Sequence, residues 1–233
     1  MFTGQYPPYQ YEDDVRSIMY AVYGWMTTAL LLTAGVAYLV AQTPTLSTLL
    51  LEHRWLMLAL VIGQISLVVV LTMFLNRMST TGALIMFFVY AALLGVTLSS
   101  IFFVYEIGSI IIAFVITAGT FGTMAVYGYF TRTDLTTMGN ISLMALFGLI
   151  LGLVVNFFLR SPMLDYVLSA IGVLVFTLLV AYDVQKIKQI AKKMIVNEDL
   201  SPKIAIMGAL TLYLDFINLF LYLLRFFGQQ KEE

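Results

Sequence analysis

Long apolar stretches separated by short polar connections run along most of this chain. A helix that crosses a bilayer needs about 20 mostly apolar residues. The apolar runs do not alternate as the strands of a membrane β-barrel would. The pattern therefore predicts an all-α integral membrane protein, a bundle of seven transmembrane helices. The predicted spans are residues 17–42, 55–75, 82–104, 107–130, 139–159, 166–182 and 204–227.

The composition agrees with this fold class, because 61% of the 233 residues are hydrophobic and only 11% are charged. A soluble domain carries about 25% charged residues. The connections between the spans are short, so we expect residues 17–233 to form a single transmembrane domain. Residues 1–16 are polar, contain two prolines and lack the features of a secretory signal, which predicts a flexible N-terminal tail.

Several kinds of chemistry are disfavoured by the residues that the chain lacks. The net charge of −1 gives no electrostatic basis for binding nucleic acid. The absence of cysteine excludes disulfides and thiolate sites, and the single histidine, His53, is too few for a zinc site. We therefore expect no cofactor.

The distribution of lysine and arginine predicts the orientation, since these residues are enriched in cytoplasmic loops. Eight basic residues lie in the tail and the even-numbered loops, against four on the other side, so we expect a cytoplasmic N-terminus and an external C-terminus. A re-entrant last segment would place both termini in the cytoplasm. The eight are Arg16, Arg77, Arg132, Lys186, Lys188, Lys192, Lys193 and Lys203, and the four are Arg54, Arg160, Arg225 and Lys231.

Small and polar residues suggest which helix faces meet. Small residues allow helices to approach closely in a membrane, and such residues include Gly119, Gly122, Gly128 and the pair Gly148 and Gly152. Thr120 lies on a hydroxyl-bearing face of the fourth span, where it either lines a wet cavity or bonds to nearby backbone. The last span carries a polar stripe, which predicts that this helix is central in the bundle. The stripe consists of Gly208, Thr211, Asp215, Asn218, Tyr222 and Arg225.

Two aspartates are the best candidates for function. Asp215 lies roughly 16–18 Å from either end of the last span at 1.5 Å per residue, close to the middle of the membrane. A carboxylate there is costly and marks a functional site by default. Asp183 closes the sixth predicted span before a basic loop, so its position alone fits either a solvated helix-end charge or a functional residue. Tyr222 is predicted to be an interfacial aromatic residue.

Three stretches resemble the Bax inhibitor-1 family, also called the TMBIM family. They are TAGTFGTMAVYGYFTRTDL, FTLLVAYDVQKIK and GALTLYLDFINLFLYLLRFFG, and the resemblance extends over nearly the whole chain after about Val15. It implies a bundle with the seventh helix surrounded by the others, and a pH-sensitive calcium leak channel. It also implies a proton-sharing pair at Asp183 and Asp215, with Arg77 as a latch toward Asp183. The resemblance also implies an acidic residue within the second helix of several relatives, and this chain has Gln64 in that region, which argues against a calcium ligand there.

Elementary electrostatics gives the implied pair a mechanism. Two carboxylates about 3–4 Å apart in a low-dielectric site cannot easily both ionise, so such a pair would share one proton and titrate as a unit. Losing the proton adds repulsion that favours another helix packing. Asp183 and Asp215 would form a weak transient calcium site. Asn218, Thr211 and Thr120 are predicted to line the pore. The expected partners are lipid, calcium ions and protons.

Two other functions compete with this one. An intramembrane aspartyl protease also uses two aspartates, but its glycine-rich second motif is replaced here by Leu212-Tyr213-Leu214-Asp215, so we expect no enzyme activity. A non-transporting regulator is the other, since bacterial relatives are thought to modulate a membrane protease and eukaryotic relatives influence cell death. Residues 1–16 or the basic loop 186–203 would then be the docking element.

The short loops between the spans favour the inner membrane of a bacterium as the location of the protein.

Overall fold

The computed structural model describes residues 8–194 and 201–231, and in these ranges the regular secondary structure is helical. The helices are α1 Pro8–Gln42, α2 Pro44–Glu52, α3 Arg54–Phe74, α4 Thr80–Leu98, α5 Ile101–Val104, α6 Ile107–Phe130, α7 Thr136–Leu159, α8 Pro162–Met194 and α9 Ser201–Phe227, with a 3₁₀ turn at Leu75–Arg77. A single isolated antiparallel bridge joins Tyr105 to Gln230 within the described ranges.

The described helices confirm the predicted fold class. Seven helical stretches are long and apolar enough to cross a membrane, and each overlaps one of the predicted spans. Helix α6 shows why the predicted and observed limits agree. Its apolar run begins after Glu106, which is the N-cap, and ends before Thr131, whose extended backbone ends the helix. The predicted span 107–130 has the same limits as α6.

Two helix boundaries differ most from the prediction, while the predicted span 82–104 is divided into α4 and α5 and several other ends shift by a few residues. Helix α1 begins at Pro8, so that residues 8–16 of the predicted tail are helical. Proline is favoured at the first helical position, and Arg16 lies 3.8 Å from Asp13 one turn away. Helix α8 continues to Met194, well beyond the predicted end at Tyr182. Lys192 and Lys193 in its last turn suit the negative end of the helix dipole.

The predicted connection over residues 43–54 is also partly helical, because it contains α2, which starts with Pro44 at its first position. Residues 1–7 of the predicted tail and residues 195–200 of the predicted basic loop lie outside the described residues. A docking role for those two segments therefore stays a prediction.

The chain divides into two compact units. The first unit comprises the described residues of Met1–Phe103 and Ile187–Tyr213, and the second unit those of Val104–Lys186 and Leu214–Glu233. In the first unit, α1 packs along α4, and Gly95 allows the close approach, because a Cβ there would lie 2.7 Å from the carbonyl oxygen of Thr33. The second unit contains α6, α7, most of α8 and the second half of α9.

Burial distinguishes the last helix from the others. In its most apolar stretch 67% of the residues are buried, against 11% in α3 and in α7. Lipid-facing helices leave large apolar side chains exposed, and Phe157 of α7 is an example of such a side chain. The burial of α9 agrees with the interior position that its polar stripe predicts.

Candidate functional site

The two candidate aspartates come together in the second unit. Asp183 lies inside α8 and Asp215 inside α9, and their side chains are hydrogen bonded to each other. Asp215 is buried, with 6% of its surface exposed, whereas Asp183 is half-buried. Two ionised carboxylates have no proton to donate, so a hydrogen bond between these groups forms only while one of them carries a proton.

This position corrects one of the two interpretations of Asp183. Helix α8 continues from Asp183 to Met194, so the residue does not open a solvated loop. A charged residue at a solvated helix end costs little free energy. Asp183 is not in that situation, because it lies inside α8 and is paired with a second carboxyl group.

One carboxyl oxygen of Asp215 is reached by no amide or hydroxyl donor. This atom, Oδ2, is buried and accepts no such hydrogen bond within the described part of the chain. Leaving a buried acceptor unsatisfied costs free energy. A proton on one of the two carboxyl groups would let the aspartates satisfy this oxygen between themselves.

Aromatic side chains pack beside this carboxyl group on α9. The ring of Phe216 lies 5.5 Å, centroid to centroid, from the rings of both Phe114 and Phe121 on α6. Phe220, one turn further, lies 6.3 Å from Phe114. Edge-to-face contacts of this kind stabilise helix packing beyond the area they bury, so α9 is held firmly against α6 next to Asp215.

The turn of α8 that carries Asp183 is fixed on three sides. Gly128 of α6 lies against the carbonyl oxygen of Ala181, and Gly139 of α7 lies against the ring of Tyr182. Gln185, which is buried, accepts a hydrogen bond from the amide of Leu135 at 2.9 Å and donates one to the carbonyl oxygen of Thr133 at 2.8 Å. These contacts tie the turn to the connection between α6 and α7.

Lys186 supplies a positive charge near the pair. Its charge acts on Asp183 one turn back in the helix, and its ammonium group lies 5.4 Å from the centre of the Tyr182 ring. Cations over aromatic rings are favourable by about 0.5–1 kcal/mol at exposed sites. Lys186 is exposed, so its influence on Asp183 is moderated by solvent.

The other predicted site residues are more dispersed. Arg77 ends the 3₁₀ turn after α3 and is exposed in the first unit, and its role as a latch stays a prediction. Thr211 donates a 3.0 Å hydrogen bond to the carbonyl oxygen of Met207, and Asn218 donates a 2.8 Å bond to that of Leu214. Polar groups in apolar helices commonly bond to their own backbone in this way. Thr120 on α6 is half-buried, and the pore-lining role of these residues is untested.

Tyr222 is packed against α8, and its predicted interfacial position stays a prediction. It is 9% exposed, its ring stacks on Phe176 at 5.6 Å, and it lies against Gly172 of α8. Arg225, one turn later, is exposed and lies 3.5 Å from the carboxylate of Asp165. The phenol is buried because Gly172 leaves room for the ring on α8.

The glycines predicted to mediate packing behave differently from one another. Gly152 lies against Leu168, because a Cβ added at position 152 would be 2.6 Å from that side chain, and Gly128 lies against α8. Gly119, Gly122 and Gly148 have no other part of the described chain within 4 Å of such a Cβ. The GxxxG pair of α7 therefore does not form one contact surface within the described chain.

Gln64 is buried between α3 and α4. It is 6% exposed, and its amide nitrogen donates to the carbonyl oxygen of Leu93 at 2.9 Å and to the hydroxyl of Thr97 at 2.6 Å. The side chain therefore serves as a hydrogen-bond donor between α3 and α4, a role that an ionised carboxylate cannot fill.

The oxygen atoms at the aspartate pair suit only weak cation binding. No group of three or more histidine, cysteine or acidic residues lies together in residues 8–194 and 201–231. Calcium takes six to eight oxygen ligands in tight sites. Two carboxyl groups that share a proton would have to be supplemented by water, amide or backbone oxygens, and a cation would be held only in passing.

Sequence comparisons show that the chain is similar to proteins of several bacteria. The family model described as "Inhibitor of apoptosis-promoting Bax1" matches residues 15–232. The chain is 48% identical over 219 residues to the inner membrane protein YbhL of Escherichia coli K12, covering 93% of each protein. It is 44% identical to uncharacterized proteins of Borreliella burgdorferi and Deinococcus radiodurans, covering 91% of this chain and 91% and 90% of theirs. The chain, a multi-pass membrane protein, therefore belongs to the Bax inhibitor-1 family.

Proposed function

We propose that this protein is a pH-sensitive calcium leak channel, gated by the proton that Asp183 and Asp215 share. The observation that carries the proposal is the hydrogen bond between these two side chains inside membrane-spanning helices. Acidic residues in such helices are rare and mark ion pathways or proton relays. The resemblance to Bax inhibitor-1 proteins supplies calcium as the ion.

The gate works through the charge of the pair. With one shared proton the two carboxyl groups attract each other and hold α8 and α9 together within the second unit. Without it they repel, by about 4 kcal/mol for unit charges 4 Å apart at an effective dielectric constant of about 20. Each 1.36 kcal/mol changes an equilibrium constant tenfold. One proton can therefore change the equilibrium constant between two helix packings by about a thousandfold.

The buried Oδ2 atom of Asp215 supports the transport part of the proposal. No amide or hydroxyl donor of the described chain reaches it, so a passing cation would compete there only with the proton that the two aspartates share. Conduction requires that an ion be released as readily as it is bound. A site with two carboxyl groups and few further oxygens meets this requirement better than a closed calcium cage.

We also propose the inner membrane of a bacterium as the location, with the N-terminus in the cytoplasm. The Escherichia coli relative is named an inner membrane protein. The orientation is supported by the eight basic residues on one side of the predicted topology against four on the other.

The test is calcium flux into liposomes that contain the purified protein and a trapped calcium dye, measured over a pH range that spans neutrality. The wild type should show flux that changes with pH, and Asp215→Asn should abolish that change, because an amide cannot release a proton. The control is Gln189→Asn, a polar substitution on the exposed surface of α8 away from the pair, which should keep the wild-type pH profile. Flux with the same pH profile in wild type and Asp215→Asn would refute the gate.

A further inference from the structure

The connection between α6 and α7 is attached to α8 by one side chain. Gln185 uses both ends of its amide: the oxygen accepts from the amide of Leu135, and the nitrogen donates to the carbonyl oxygen of Thr133. Both distances are below 3.0 Å, and Gln185 is 8% exposed. Among uncharged side chains of this length only an amide offers a donor and an acceptor together, so the clamp depends on glutamine.

We propose that Gln185 is a positioning residue of the carboxyl pair, which fixes the turn of α8 that carries Asp183 by binding the connection 131–135. This inference rests on the proposed function, because it names a residue that sets the geometry of the same gate. Gln185 acts through Asp183, which lies two residues earlier in the same helical turn.

The contacts on either side of Asp183 explain why one amide has this effect. Ala181 and Tyr182, just before Asp183, are held by the close approach of Gly128 and Gly139, and Gln185 holds the turn just after it. A hydrogen bond weakens steeply once its length or angle departs from the optimum. The bond from Asp183 to Asp215 therefore depends on how firmly this turn is held.

Replacing Gln185 by an uncharged residue changes geometry without changing the charges around the pair. The charged groups that act on Asp183 are Lys186 on the same helix and Asp215 on α9. Arg132 and Asp134 are exposed on the connection, and α7 contains no ionisable side chain. On α6, Glu106 caps the opposite end, and Tyr127 and Tyr129 lie in its last turn. None of these charges is altered by Gln185→Met.

The test compares the pH midpoint of calcium flux in Gln185→Met and in the matched control Gln189→Met, one turn later on the exposed surface of α8. Gln185→Met should move the midpoint by about half a pH unit or more. This is the shift expected when the free energy of about one hydrogen bond no longer helps to position Asp183. Gln189→Met should leave the midpoint unchanged. A lower flux with an unchanged midpoint in Gln185→Met would show a merely structural role and overturn the proposal.

An infrared measurement separates this inference from the channel itself. The carbonyl band of the protonated carboxyl group, assigned as the band lost in Asp215→Asn, should move in frequency in Gln185→Met and not in Gln189→Met. If the wild type shows no pH-dependent flux, the channel proposal fails, and a moved band still supports the positioning role while an unmoved band overturns it. If Gln185→Met does not fold, Gln185→Asn takes its place, because its amide is one methylene too short to reach both partners.

Discussion

Gly139 of α7 lies directly against the aromatic ring of Tyr182 of α8, the residue before Asp183. A Cβ at position 139 would overlap with the ring, so the two helices can approach this closely only because the side chain is absent. The contact fixes the position of α7 along α8 at the turn that carries Asp183. Close packing against small residues is the usual means by which membrane helices associate.

We predict that Gly139→Ala destabilises the protein, whereas Gly148→Ala on the same helix does not. The added methyl group at position 139 must displace the Tyr182 ring, and overpacking of this kind costs typically 1–3 kcal/mol. A Cβ added at position 148 would have no atom of another described helix within 4 Å. Thermal unfolding in detergent should show a lower midpoint for Gly139→Ala alone, and equal midpoints for the two variants would contradict this account of the contact.

The connection before α7 should make stability depend on pH. Asp134 accepts hydrogen bonds from the hydroxyl of Thr136 at 2.6 Å and from its amide at 2.9 Å. The hydroxyl bond, followed by the amide bond, lowers the pKa of the Asp134 carboxyl group below its usual value. A lowered pKa in the folded state means that this stabilisation is present above the pKa of the unfolded chain and is lost as the pH falls through the folded pKa.

Asp134→Ala should therefore lower the thermal midpoint at pH 7 and have progressively less effect in acid, below the ordinary pKa of an aspartate at about 3.9. Thr136→Val, which removes only the hydroxyl donor, should lose part of the same effect. Asp134 is exposed, so the difference should be small. The prediction fails if the wild type and Asp134→Ala differ by the same amount at neutral and at acidic pH.

The seven spans could be predicted from sequence because their apolar length leaves few alternatives. The end of α8 could not, because the apolar pattern stops at Tyr182 while nothing in the basic stretch after it breaks a helix. The pairing of Asp183 with Asp215 followed from resemblance to a family. Spacing alone places Asp215 in the middle of a helix and leaves Asp183 ambiguous.

Gln185 shows a different limit of sequence reasoning. A glutamine at the end of an apolar run, followed by Lys186, has the pattern of a solvated loop. Its partners are backbone atoms of Thr133 and Leu135, about 50 residues away in the chain, and backbone groups leave no signal in side-chain patterns. The only signal in the sequence was an amide within two residues of a candidate aspartate.

Gln64→Glu should destabilise the protein at neutral pH. The amide nitrogen of Gln64 donates to Leu93 and Thr97 in a buried position, and an ionised glutamate would set a negative charge against the carbonyl oxygen of Leu93. Leaving such groups unpaired costs about 1–3 kcal/mol, and more for a charge. A protonated glutamic acid can still donate one bond, so the loss should shrink as the pH falls. Gln64→Met, which has no proton to release, is the control, and a pH-independent loss in Gln64→Glu would refute the prediction.

Tyr213→Phe should destabilise the first unit through a single oxygen atom. The hydroxyl of Thr33 donates to the carbonyl oxygen of Ala91 at 2.9 Å, so its 2.6 Å bond with Tyr213 must use the phenol as donor. Phenylalanine keeps the ring contacts with Phe87 and Tyr90 and leaves only the Thr33 oxygen without its donor, at a cost of about 1 kcal/mol. Tyr213→Phe, Thr33→Val and the double variant form a cycle in thermal unfolding. Since the two hydroxyl groups bond to each other, the double variant should lose less than the sum of the single losses, and strict additivity would show that the bond contributes nothing.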